Sequence, residues 1–123
     1  MNSLFNQLFR NNRDGGKPGE IEYLNDKPRE QEKLKIIAVI EGLVQGVGFR
    51  YSTYYLAKEL GIAGVVKNRA DGTVYVEAIG EEDTMEQFIR QLAKGPSKSA
   101  NVEKVTIKYD NSIPDYTSFS QDR

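Results

Sequence analysis

An α+β sandwich is the fold class that this sequence predicts, and three observations carry the prediction. Thr73 to Ile79 alternates, with Val74, Val76 and Ala78 on one face and Thr73, Tyr75 and Glu77 on the other, the period of a half-buried strand. Met85, Phe88, Ile89 and Leu92 recur at i, i+3, i+4 and i+7, the period of an amphipathic helix. Between Lys35 and Tyr109 such segments follow the order strand, helix, strand, strand, helix, strand.

Lys35 to Glu41 reads as the first strand of that series, apolar on both faces and therefore central in its sheet. Phe49, Thr53, Leu56, Ala57 and Leu60 then follow helical spacing, and Gly61 is a natural stop. Ile62 to Arg69 reads as a second strand, and Ala70-Asp71-Gly72 signals a hairpin into the third. Glu81, Glu82 and Asp83 place negative charge at the start of the second helix, where the helix dipole favours it. Gly95-Pro96-Ser97 breaks that helix, Val102 to Tyr109 forms a fourth strand, and Tyr116 to Gln121 suits a short edge strand. Two split βαβ units of this order give the ferredoxin-like βαββαβ arrangement. It has a four-stranded antiparallel sheet, here with the added edge strand, and two helices on one face.

Residues 1–33 differ in character. Arg13 to Glu20 is polar and glycine-rich, and Asp26 to Lys33 is dense in charge around Pro28. The expectation is a flexible, disordered arm over 1–33 and a compact domain over 34–123. Leu4, Phe5, Leu8 and Phe9 share one helical face, a small surface on which a weak partner or the domain itself could dock.

Composition narrows the available chemistry. The chain of 123 residues has neither cysteine nor histidine. Thiolate nucleophiles, disulfides, imidazole bases and most zinc sites are therefore excluded. Seventeen basic residues against 18 acidic ones leave a net charge of −1, which gives no electrostatic reason to expect nucleic acid or an anionic membrane as partner. No apolar run is long enough for a membrane span, and Met1 to Asn12 lacks the apolar core of a signal peptide. A cytoplasmic monomer with no metal and no cofactor is expected.

The candidate site is the stretch Gly42-Leu43-Val44-Gln45-Gly46-Val47-Gly48-Phe49-Arg50, which joins the first strand to the first helix. Glycines let successive N–H groups converge on one concavity, and a helix start adds unpaired N–H groups and a positive dipole. An arginine there adds a planar fork that matches two phosphate oxygens. Everything needed to hold a small phosphate dianion lies within these nine residues.

With this loop, Gly64-Val65-Val66-Lys67-Asn68, Gly72-Thr73-Val74, Gly80 and the weaker Gly95-Pro96 match in order, the chain resembles the acylphosphatase family over about Lys35 to Phe119. The resemblance implies hydrolysis of a small acyl phosphate to a carboxylate and inorganic phosphate, without a metal. It puts the phosphate-binding arginine on Arg50, the water-positioning asparagine on Asn68 and the phosphate cradle on the N–H groups of Gln45, Gly46, Val47, Gly48, Phe49 and Arg50. The chemistry suits a protein without histidine. The leaving carboxylate has a conjugate-acid pKa of about 4 to 5, so it departs without a proton donor. A phosphate oxygen of the substrate can take the proton of the attacking water.

Two other classes share the topology. One is a regulatory module that binds a small ligand or phosphate without catalysis. The other is a nucleic-acid-binding sheet, for which Tyr75 is the one aromatic in a suitable place. Gln45 also has a plainer reading, in which its side chain simply seats the loop.

Overall fold

The computed structural model describes residues 17–122. Six strands and two helices follow one another as β1 (Glu20–Tyr23), β2 (Leu34–Leu43), α1 (Phe49–Leu60), β3 (Ala63–Asn68), β4 (Val74–Gly80), α2 (Glu82–Lys94), β5 (Asn101–Tyr109) and β6 (Phe119–Asp122). They form one sheet in the order β1-β5-β2-β4-β3-β6. The inner four strands pair antiparallel, as the ferredoxin-like reading requires. The outer two pair parallel, β1 with β5 and β6 with β3, so the sheet is mixed and wider than four strands and one edge strand.

The core lies between the sheet and the two helices. Ile36, Ala38 and Ile40 of β2 stand opposite Ala78, Val76 and Val74 of β4, and all six are fully buried. Phe49, Leu56 and Ala57 of α1 and Met85, Phe88, Ile89 and Leu92 of α2 close over them in one apolar cluster. Burial of such side chains contributes roughly 1.5–3 kcal/mol each before the entropy of ordering them is subtracted. Gly61 ends α1 in the left-handed region, with its N–H on the Lys58 carbonyl oxygen, as the sequence suggests.

The expected flexible arm is corrected over its described part. Glu20 to Tyr23 pairs with Lys104 to Ile107 of β5, and Gly19 N–H donates to the Ala93 carbonyl at the end of α2. The Asn25 carboxamide bonds both the N–H and the carbonyl oxygen of Tyr109, each at 2.9 Å. Tyr23 stacks on Tyr109, Lys27 pairs with Glu82 and Glu86, and Gln31 exchanges two hydrogen bonds with Asn111. Composition hides this because edge pairing uses backbone groups, which every residue but proline supplies in full. The face formed by Leu4, Phe5, Leu8 and Phe9 lies outside the described residues.

Removal of residues 1–33 should therefore destabilise the domain. A loss of about 2 kcal/mol would lower Tm by roughly 8–16 °C for a domain near this size. Thermal denaturation of the truncated chain checks this, and an unchanged Tm would show that β1 and its contacts carry no net stability.

On the sheet face away from the helices, the segment after β5 folds back. Ile113 is buried there, and Lys35 bonds both the Ile113 carbonyl and Asp115. Tyr75 and Tyr116 both donate their hydroxyls to Glu77. Burial first, and then the bond to Glu77, push the Tyr116 phenol up to about 12 and the Tyr75 phenol higher still. Both remain protonated donors through the neutral range.

Candidate active site

The loop between β2 and α1 is anchored at both ends by buried side chains, Val44 and Phe49. Between them Gly46 and Gly48 adopt φ of 73° and 81°. A Cβ at either would meet nothing within 4 Å, so glycine serves the left-handed backbone here rather than close packing. For an ordinary residue that conformation costs roughly 1–2 kcal/mol. Gly48 is also the N-cap of α1, and no side chain caps it. The first turn of α1 carries no acidic residue either, which leaves its positive end without a protein counter-charge of its own.

Gln45 ties the loop to the β3–β4 hairpin. Its Nε2 donates to the carbonyl oxygens of Arg69 and Thr73, both at 2.8 Å. The hairpin is itself fixed, because the Asp71 carboxylate accepts from the Thr73 hydroxyl at 2.6 Å and the Thr73 N–H at 3.0 Å. Those two bonds, the hydroxyl's first, hold the Asp71 carboxyl below the usual range. The outcome is a loop, a hairpin and a strand end held in one register.

Asn68 is the last residue of β3, two places after the buried Val66 and so on the helix side of the sheet. Its Oδ1 is buried and accepts no hydrogen bond from the described protein. Arg50, in the first turn of α1, donates from Nη1 to the Asp122 carbonyl oxygen at 2.7 Å. That bond crosses from α1 to the end of β6 and holds the guanidinium beside Asn68 at the rim of two neighbouring cavities. The smaller, about 150 Å³, is lined by Gly46, Gly48, Phe49, Arg50, Asn68 and Gln121, with Val44 and Tyr51. The larger, about 590 Å³, is lined by Arg50, Asn68, Gln121 and Asp122.

Of the residues singled out from sequence, the structure brings Gly46, Gly48, Phe49, Arg50 and Asn68 to one cavity. Gln45 and Val47 do not line it. The Gln45 side chain seats the loop, and Val47 packs against the core. Sequence reasoning missed Gln121 and Asp122. Asp122 acts on Arg50 through a main-chain carbonyl, which no residue type announces, and Gln121 sits in a four-residue strand with no motif around it.

The sheet face that a nucleic acid would need is differently arranged. The Tyr75 hydroxyl is committed to Glu77, and Lys67 and Arg69 lie over its ring at 5.2 and 5.3 Å. Among the described residues, no helix is long and apolar enough to cross a membrane, and no group of three or more carboxylates is placed to hold a metal ion.

The glycine loop, the start of α1 and Arg50 thus meet around one cavity of a small α+β fold, and known proteins share this frame. The acylphosphatase family model matches residues 36–121. An acylphosphatase from Lactobacillus johnsonii is 46% identical over 81 residues, spanning 66% of this chain and 89% of that protein. One from Archaeoglobus fulgidus is 49% identical over 80 residues, 65% of this chain and 88% of that protein. The crystal structure of acylphosphatase from Bacillus subtilis superposes with a TM-score of 0.70 at 33% identity, covering 73% of this chain and 99% of that one. The chain belongs to the acylphosphatase family and is an enzyme of that class.

Proposed function

We propose that this protein hydrolyses a small acyl phosphate to a carboxylate and inorganic phosphate by direct attack of water, without a metal. The Arg50 guanidinium and the backbone N–H groups of the loop residues on the cavity, Gly46, Gly48, Phe49 and Arg50, hold the phosphoryl group, and Asn68 holds the water. The observation that carries this reading is the buried, unpartnered Oδ1 of Asn68, on the same cavity as Arg50 and the glycine loop. A buried acceptor left without a partner costs about 1–3 kcal/mol, so a site that keeps one has a use for it. A water that donates to this oxygen would be oriented for attack at phosphorus.

The charge arithmetic supports the same reaction. The uncapped start of α1 and the Arg50 guanidinium face charge that spreads over the phosphoryl oxygens as the bond breaks. Positioning and charge stabilisation are the main contributions such a reaction needs. The P–O bond to the acyl group breaks with its electron pair, which leaves as carboxylate. The water's proton passes to a phosphate oxygen.

The test is release of inorganic phosphate from benzoyl phosphate after exhaustive EDTA treatment, followed from about pH 6.5 to 8. Turnover should survive chelation and vary little with pH, because the chain has no histidine or cysteine to titrate in that range. Loss of activity on chelation, restored by a divalent ion, would assign a different catalytic class. Phosphate binding with no turnover would assign the regulatory module instead.

A further inference from the structure

We propose that Gln121 is a further substrate-contacting residue, whose side-chain N–H donates to the acyl carboxylate as it leaves phosphorus. This rests on the hydrolytic reading above and extends it to the leaving group. Three residues line both cavities, namely Arg50, Asn68 and Gln121. The first two are the groups assigned to phosphate and water, so the third stands where the two spaces meet. The smaller cavity adjoins the glycine loop and suits the phosphoryl group. The larger lies beyond it and has room for the acyl group. The scissile P–O bond then falls at their junction, within reach of Gln121.

The position of Gln121 is fixed even though its side chain is exposed. It stands opposite Val66 in register, on the same side of the sheet as the buried Phe119. Phe119 meets the Phe88 ring edge-on at 6.3 Å, the Gly64 N–H donates to the Ser118 carbonyl, and the Asp122 carbonyl accepts from Arg50. The strand is thus pinned on both sides of Gln121. Its carboxamide makes no hydrogen bond to the described protein and is available to a ligand. As the P–O bond breaks, its electron pair and a full negative charge pass to the carboxylate. A neutral N–H at that point stabilises the departing charge and adds no net charge to the bound state.

Gln121→Ala and Gln121→Glu test this on the full chain with a series of ring-substituted benzoyl phosphates. Gln121→Ala should lower kcat about tenfold, the size of one net hydrogen bond. The loss should grow as the leaving carboxylate becomes more basic, and inhibition by inorganic phosphate should not change. Gln121→Glu replaces the donor with an anion and should lose more. Melting temperatures should match the parent, since the side chain is exposed and makes no hydrogen bond among the described residues. An unchanged kcat with an unchanged leaving-group dependence would overturn the assignment while leaving the hydrolytic reading intact. So would a uniform loss accompanied by weaker phosphate inhibition, which would move Gln121 to the phosphate. A parent protein that releases no phosphate from any member of the series would overturn both.

Discussion

Arg50→Gln is expected to reduce kcat/KM for benzoyl phosphate by roughly 10³-fold or more, the scale on which an arginine that meets a transferring phosphoryl group acts. Glutamine keeps a donor but loses the charge and the fork. Inorganic phosphate should also inhibit more weakly, because the guanidinium serves bound phosphate and transition state alike. The fold should persist. Among the described residues the Arg50 guanidinium donates to the Asp122 carbonyl at 2.7 Å, and that oxygen lies at the surface, where water can replace the donor. Steady-state kinetics, phosphate inhibition and a thermal melt measure the three effects. Turnover at the parental rate would remove Arg50 from the mechanism.

For Asn68→Ala the expectation is a different pattern, a kcat lower by about 10²–10³ with phosphate inhibition nearly unchanged. The amide is assigned to the water, which matters when the bond to phosphorus forms and little when phosphate merely binds. Stability should not fall much. Oδ1 spends no bond on the described protein, so its removal strands no donor and eliminates a buried acceptor that was unsatisfied. A mutant with parental kcat and poor phosphate affinity would reassign Asn68 to ligand binding. Together the two substitutions separate charge from water positioning.

The parts legible in the sequence are those written in side chains. The alternation at Val74, Val76 and Ala78 and the helical stripe at Met85, Phe88, Ile89 and Leu92 mark buried faces, and those residues are buried. The glycine loop was legible because left-handed φ values favour a residue without Cβ, and Gly46 and Gly48 have such values. Less legible was whatever rests on backbone groups. β1 carries Glu20 and Glu22 and follows a glycine-rich run, so its composition argues for coil, yet its main chain completes one edge of the sheet. The bond from Arg50 to the Asp122 carbonyl is hidden for the same reason, since every residue has that carbonyl. Gln45 held two readings, and the structure uses its side chain for the loop-to-hairpin tie.

The short outer strands bear on how these molecules behave toward one another. Without β1, one side of the sheet would end in β5, nine residues of strand with open N–H and carbonyl groups. Such an edge can template pairing with a second chain. β1 replaces it with a four-residue rim that alternates carboxylates with Ile21 and Tyr23 and ties Glu22 to Lys104 at 2.6 Å. β6 limits the opposite rim to four residues, with Asp122 at its end. Brevity and charge at both rims oppose edge-to-edge growth of the sheet. Among the described residues, the outer strands thereby leave little open edge for a second chain to pair with, a consequence separate from any stability they add to the single molecule.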